Sequence, residues 1–200
     1  MTQELLAPCR RCGEKHRLEH ISSINATTDP DLKQQILDGS LFVWECPHCG
    51  ERNLDAAPLL YVDPEARLLA VLSAEEIGLA APQDGPYAGF AVRHAATPGS
   101  LIELVKIFDA GLDDAAVDLC KQVTRMEMGK DALELRFLRL SGSDNEIIFT
   151  YPQDGEMKMI AVGFNVYEDC RGILARNPRV DERAKGLAVI DEAWIASLLR

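Results

Sequence analysis

The chain has 200 residues, 47% of them hydrophobic, which is enough for a real core in one ordinary domain or in a small module joined to a larger one. With 21 Lys+Arg against 32 Asp+Glu the formal charge is −11, and this excludes a general electrostatic attraction to nucleic-acid phosphates. Apolar runs such as LLAVL at 68–72 fall far short of the roughly 20 residues of a membrane helix.

The N-terminal MTQELLAPCRRCG lacks a basic start followed by an apolar stretch, so export is not expected and a reducing cytoplasm is. There, six cysteines are metal ligands or catalytic thiols sooner than disulfides. The first motif, CRRCG at 9–13, returns as CPHCG at 46–50, with 33 residues between Cys12 and Cys46. Cys9, Cys12, Cys46 and Cys49 form the donor set of a tetrahedral zinc site, because each Cys-x-x-Cys turn aims two sulfurs at one point about 2.3 Å away. A glycine after each second cysteine, Gly13 and Gly50, tolerates positive φ and the approach of backbone amides to sulfur. One structural zinc per chain is expected, with His48 facing solvent. The competing reading, a thioredoxin-type dithiol at Cys46 and Cys49, requires a helix directly after the pair. The sequence there is GERNLDAAPLLYVDP, broken by Gly, Asn and Pro, and no helix is expected.

Between the two pairs, EKHRLEHISSI at 14–24 alternates as a strand. Residues 29–39 read as a helix with Asp29 as N-cap, Pro30 at the first position and Gly39 as the stop. SLFVWE at 40–45 reads as a strand with Phe42 and Trp44 on one face, a candidate aromatic anchor for a partner. This ribbon is too small for a core of its own. Metal would supply on the order of 10 kcal/mol of its folding free energy, so residues 1–60 are expected to unfold without it. Arg10, Arg11, Lys15 and Arg52 flank the cysteines and would offset the negative charge of a zinc tetrathiolate.

Further along, PLLYVDPEARLLAVLS at 58–73 is a hairpin turning at Asp63-Pro64. Tyr61 and Asp63 share a face beside the second pair and are candidates for a functional contact, the alternative being a turn-stabilising aspartate. The organisation expected is a zinc-ribbon module over 1–64 and a mixed body over 65–200, with a hinge candidate at 78–89. FAVRHA at 90–95 is a strand. Residues 100–110 form an amphipathic helix with Leu101, Leu104, Val105 and Phe108 on one face, stopped by Gly111. Asp113 caps a second helix reaching about Met128. A DNA-reading helix-turn-helix is disfavoured, since the acids of DDAAVDLCKQ would meet phosphates with the wrong sign.

Strands at 132–140, 145–152 and 156–164, joined through SGSD and QDG, read as an antiparallel meander. The tail LAVIDEAWIASLLR offers a strand and a helix capped at Asp191 with Trp194, Ile195 and Leu198 on its apolar face. The class is α+β, a four-Cys zinc ribbon followed by a helix pair and a meander, with neither a G-x-G-x-x-G nor a P-loop sequence. Cys120 reads as a buried small apolar group, Cys170 as part of a solvated segment, and His16, His20 and His94 as surface residues.

On the run from Cys9 to Cys49, with Asn25, Asp29-Pro30, Gly39, CPHCG and PLLYVD at 58–63, the chain resembles the CpXC domain family of bacterial and archaeal proteins. The likeness extends into SLIELVKIFDAGLDDAAVDLCK at 100–121 and covers roughly 8–128. One departure is that the first pair is Cys-Arg-Arg-Cys and lacks the turn-stiffening proline. The resemblance implies a zinc-ribbon-like module and no settled activity. Three function classes follow: a non-enzymatic zinc protein that binds another protein in a regulatory assembly, a nucleic-acid-binding ribbon acting through Arg10, Arg11 and Lys15, and an enzyme, either a thiol oxidoreductase using Cys46 and Cys49 or an unknown hydrolase in the meander. The first is the expectation, with nucleic-acid and membrane partners not expected.

Overall fold

Each Cys-x-x-Cys-Gly turn folds the chain back on itself, and in the computed structural model each sits at the tip of its own antiparallel hairpin. The structure describes residues 2–75, 82, 84–180, 184 and 187–198. The first hairpin pairs β1 (Thr2–Pro8) with β2 (Lys15–Ile21), Pro8 facing Lys15. The sequence reading had no strand before Cys9. The second pairs β4 (Val43–Glu45) with β5 (Arg52–Leu54), Glu45 facing Arg52.

Helix α1 (Pro30–Asp38) starts with proline at its first turn and ends at Gly39, whose φ of 80° and N–H bond to the Ile36 carbonyl close it. The Asp29 carboxylate does not cap the helix as expected; it accepts the Asn25 N–H at 3.0 Å and braces the preceding loop. The expected strand at 40–45 is a 3-10 turn over Ser40–Phe42 followed by β4, so Phe42 and Trp44 do not share one strand face. The left-handed Gly39 leads straight into that turn, and the apolar run is too short to reveal the change of period.

A four-stranded sheet in the order β3 (Ser23–Asn25), β6 (Leu59–Asp63), β7 (Leu68–Leu72), β8 (Ala91–Ala95) carries the core of the first half. Its β6–β7 pairing is antiparallel, whereas β3–β6 and β7–β8 are parallel. All five residues of β7 are buried, as the continuous apolar run of a central strand demands. Ile24, Ile36, Leu59, Tyr61 and Val92 are buried with them.

The chain divides into two compact units, Met1–Ile102 and Glu103–Arg200. Because β6 pairs with β7, the sheet runs across position 64, where the sequence reading divided ribbon from body. Of the hinge candidate at 78–89, residues 78–81 and 83 lie outside the described residues.

Helix α2 (Pro98–Asp109) contains the division, and α3 (Asp114–Met128) follows after Gly111 at φ 68°. Asp113 caps α3 as expected, accepting the Ala116 N–H at 2.8 Å. The antiparallel sheet β9 (Arg136–Ser141), β10 (Glu146–Gln153), β11 (Glu156–Gly163) turns between its last two strands at Asp154-Gly155, both at positive φ as a type I′ turn requires. Helix α4 (Phe164–Ala175), absent from the sequence reading, and α5 (Glu192–Leu198), capped by Asp191, close the unit. The core of the second unit gathers Ala116, Leu119, Phe137, Phe149, Tyr167 and Ile195. The protein is α+β, and no described helix is long and apolar enough to cross a membrane.

Candidate metal centre

The two hairpin tips meet. One donor sulfur from each of Cys9, Cys12, Cys46 and Cys49 lies within 4.8 Å of all the others, and no other such group of metal-capable side chains exists among the described residues. Cys9 Sγ is 3.6 Å from Cys49 Sγ and Cys12 Sγ is 3.8 Å from Cys46 Sγ. These gaps are far too long for disulfide bonds, and all four thiols are free. A tetrahedron with metal–sulfur bonds of about 2.3 Å has edges of about 3.8 Å. The two contacts across the tips stand at that length, and the remaining sulfur separations stay within 4.8 Å, so the four thiols could hold a thiophilic cation.

Each tip is built by the same bonds. The Cys9 N–H donates to the Glu14 carbonyl and the Gly13 N–H to the Cys9 carbonyl; Cys46 and Gly50 repeat the pattern with Glu51 and Cys46. Gly13 and Gly50 stand at φ 74° and 70°. These bonds bend the chain so that both sulfurs of a pair leave the same side.

Two side chains lace the tips together. Asn53, buried, donates from Nδ2 to Cys9 Sγ at 3.6 Å and to the Glu51 carbonyl, while its Oδ1 accepts the Arg10 N–H at 2.8 Å. His16 brings Nε2 to 3.3 Å from Cys46 Sγ, its ring edge-on to Trp44 at 5.8 Å. Sequence reasoning missed Asn53 and took His16 for a surface residue. The signal was present: the motif repeats over eight positions, CRRCGEKH at 9–16 and CPHCGERN at 46–53, beyond the five that were compared.

Burial opposes ionisation of Cys9, but the N–H groups of Cys12 and Arg11, the Cys49 thiol and the Asn53 amide all point at its sulfur and hold the thiol down at about 6. The Cys49 sulfur accepts the Glu51 N–H, yet burial and the sulfurs of Cys12, Cys9 and Cys46 push it up to about 12. Cys12, which accepts the Glu14 N–H, is likewise raised by burial and by Cys9 and Cys46. Four sulfurs cannot all ionise side by side without a cation between them, so a cation bound there would displace protons and would be held more tightly as pH rises.

Of the four flanking cations, two meet a carboxylate as well: Arg10 reaches across to Glu51 with Nε at 2.7 Å from Oε1, and Arg11 lies 4.0 Å from the same carboxylate. His48 is exposed, as expected, and the residues after Cys49 form β5 and no helix. Phe42 is 4% exposed and Trp44 half-buried.

Tyr61 and Asp63 are both buried. Asp63 Oδ2 accepts the Tyr61 hydroxyl at 3.0 Å and Lys33 Nζ at 2.8 Å, and Oδ1 accepts the N–H groups of Glu65 and Ala66. The carboxylate therefore shapes the β6–β7 turn. His20 is buried too, its ring between Asp55 Oδ2 at 3.0 Å and the Pro58 carbonyl at 2.9 Å, so neither nitrogen is available as a base. His94 Nε2 bonds the Ser73 carbonyl, and Cys170 is buried with Cys120 in the core of the second unit. Helix α3 buries every residue from Asp114 to Cys120, a surface unable to enter a DNA groove.

A family model described as CpXC protein matches residues 7–121, more than half of the chain. No curated protein and no solved structure matches it.

Proposed function

The chain belongs to the CpXC family, and on that premise we propose that it is a non-enzymatic zinc protein in which one structural zinc ion, held by Cys9, Cys12, Cys46 and Cys49, stabilises a module that binds another protein. The observation that supports a metal is the pair of sulfur separations across the tips, 3.6 and 3.8 Å, against the edge of about 3.8 Å of a zinc tetrathiolate. Zinc is favoured among thiophilic cations because four closed thiolate ligands suit a structural ion with no open position for substrate. Its chemistry here is to neutralise and join the sulfurs; the protein's part is to aim them, through Gly13, Gly50 and the backbone bonds of each turn.

A protein partner fits the charge balance better than nucleic acid does. Glu51 lies beside Arg10 and Arg11 and offsets part of the local positive charge, and the chain stands at −11 before the metal centre adds its own negative charge. An oxidoreductase at Cys46 and Cys49 is disfavoured, because a strand follows the pair where a helix dipole would be needed to activate the first sulfur.

Metal analysis of the full chain purified under reducing conditions tests the reading. About one zinc per chain is expected, and Cys9→Ser or Cys46→Ser should each release it. Less than about a tenth of that stoichiometry, with four freely titrating thiols in a folded protein, would sink the proposal.

A further inference from the structure

The two tips repeat each other at a shift of 37 positions, and their contacts are reciprocal under that shift, down to the side chains that touch sulfur. Cys9 meets Cys49, and Cys46 meets Cys12. Asn53 from the second tip touches the first cysteine of the first; His16 from the first touches the first cysteine of the second. Positions 16 and 53 are equivalent under the shift, each lying four residues after the second cysteine of its own tip. Their residue types nevertheless differ.

The difference has a cause in the backbone. Asn53 donates to Cys9 and also accepts the Arg10 N–H, so that position needs a donor and an acceptor on one side chain. The equivalent of Arg10 is Pro47, whose nitrogen carries no hydrogen. Toward the opposite tip, position 16 therefore needs a donor and no acceptor, and an imidazole with its proton on Nε2 supplies one to Cys46 Sγ at 3.3 Å while its ring meets Trp44 edge-on. Cys9 and Cys46 are also the two buried sulfurs, while Cys12 is exposed and Cys49 half-buried.

We propose that His16 and Asn53 are a matched pair of positioning residues for the metal centre, each donating an N–H to the buried first cysteine of the opposite tip, thereby locking the two hairpins in register around the cation and fixing the electron density of those two sulfurs. This rests on the four-thiolate reading above. Partners that orient metal ligands typically carry about 10–100-fold in metal affinity.

The test titrates the full reduced chain with cobalt(II) and follows the sulfur-to-cobalt charge-transfer bands. Wild type should give a four-thiolate tetrahedral spectrum; its absence would overturn the metal reading itself and this inference with it. Given that spectrum, His16→Ala and Asn53→Ala should each weaken cobalt affinity about 10–100-fold and move the charge-transfer band to lower energy, because a sulfur without its donor is more electron-rich. His16→Asn restores the donor to Cys46, gives up only the ring contact with Trp44 and should regain most of the affinity that His16→Ala loses, whereas Asn53→His removes the acceptor for Arg10 and should remain weakened about tenfold. A four-thiolate spectrum unmoved in energy and affinity in both alanine variants would overturn the proposal, as would equal tolerance of the two exchanges, His16→Asn and Asn53→His.

Discussion

Replacing Asp63 by alanine is expected to cost the first unit about 3–5 kcal/mol, from the hydrogen bonds that its buried carboxylate accepts. The carboxylate makes four bonds. Two go to the Glu65 and Ala66 N–H groups, at 3.1 and 3.0 Å, in a turn open enough for water to replace part of each, so together they contribute about 1–2 kcal/mol. The Tyr61 hydroxyl, on a fully buried residue, loses this acceptor at about 1–3 kcal/mol. The Lys33 side chain is a quarter exposed, and solvent screening keeps its share to about 1 kcal/mol or less. Asp63→Asn keeps the shape and the two turn bonds and is expected to cost about 1–2 kcal/mol. Burial alone would raise the Asp63 carboxyl, but Lys33, the Ala66 N–H and Tyr61 hold it below the usual carboxylate range. A depressed folded value stabilises fully above the unfolded value of about 3.9 and is lost as pH falls through the folded one. The gap between wild type and Asp63→Asn should therefore be constant above about pH 5 and shrink in stronger acid, with any loss of metal common to both proteins. Urea unfolding in a Trp194→Phe background leaves Trp44 as the reporter of the first unit. A cost below about 1 kcal/mol for Asp63→Ala would refute the turn-bracing role and return Tyr61 and Asp63 to the list of contact residues.

Three other outcomes are expected. Burial lifts the Asp118 carboxyl above the usual range against the pull of Lys121 and Gln122, and a carboxyl that binds its proton more tightly in the native state destabilises that state once pH passes about 4. Asp118→Asn should thus be neutral or stabilising by up to about 1 kcal/mol at pH 7, Lys121 keeping Glu103 at 3.1 Å; urea melts read at Trp194 would show a clear loss if the pair with Lys121 mattered more than burial. Gly13→Ala meets no atom within 4 Å but must hold φ near 74°, so about 1–2 kcal/mol of left-handed strain is expected as earlier release of metal in a chelator titration, and Gly13→Asn should lose less. Removing metal should expose the amides of residues 2–21 and 43–54 to hydrogen exchange and leave β6, β7 and β8 protected; uniform exchange across all of them would show one cooperative block.

The cysteine pairs were legible because their spacing is local and the donor chemistry is unambiguous. The same locality hid what surrounds them. Asn53 and His16 carry no motif of their own, and only the shift that equates their positions marks them. Helix α4 escaped because Gly172 and a low apolar contrast blur its period, and with it went the burial of Cys170. The boundary drawn at 64 failed to foresee that β3 pairs with β6 and β7 with β8 in parallel, contacts that join distant segments and leave no trace in hydrophobic alternation.

The sheet also changes what the metal is for. A ribbon over 1–60 with no core of its own would unfold whole without zinc, yet Ile24, Ile36, Phe42 and Leu59 lie inside that stretch and are buried. The β3–β6–β7–β8 sheet and α1 thus have apolar burial to stand on. The two hairpins do not: isolated two-stranded ribbons are marginal in water, and Cys9 and Cys46 are the buried side chains at their tips. Metal free energy is therefore concentrated on the hairpins. The exposed apolar side chains there are Leu6 on the first and the cross-strand pair Val43 and Leu54 on the second. Chelation should therefore loosen the hairpins and these side chains with them, while the sheet, which has its own buried apolar residues, stays folded.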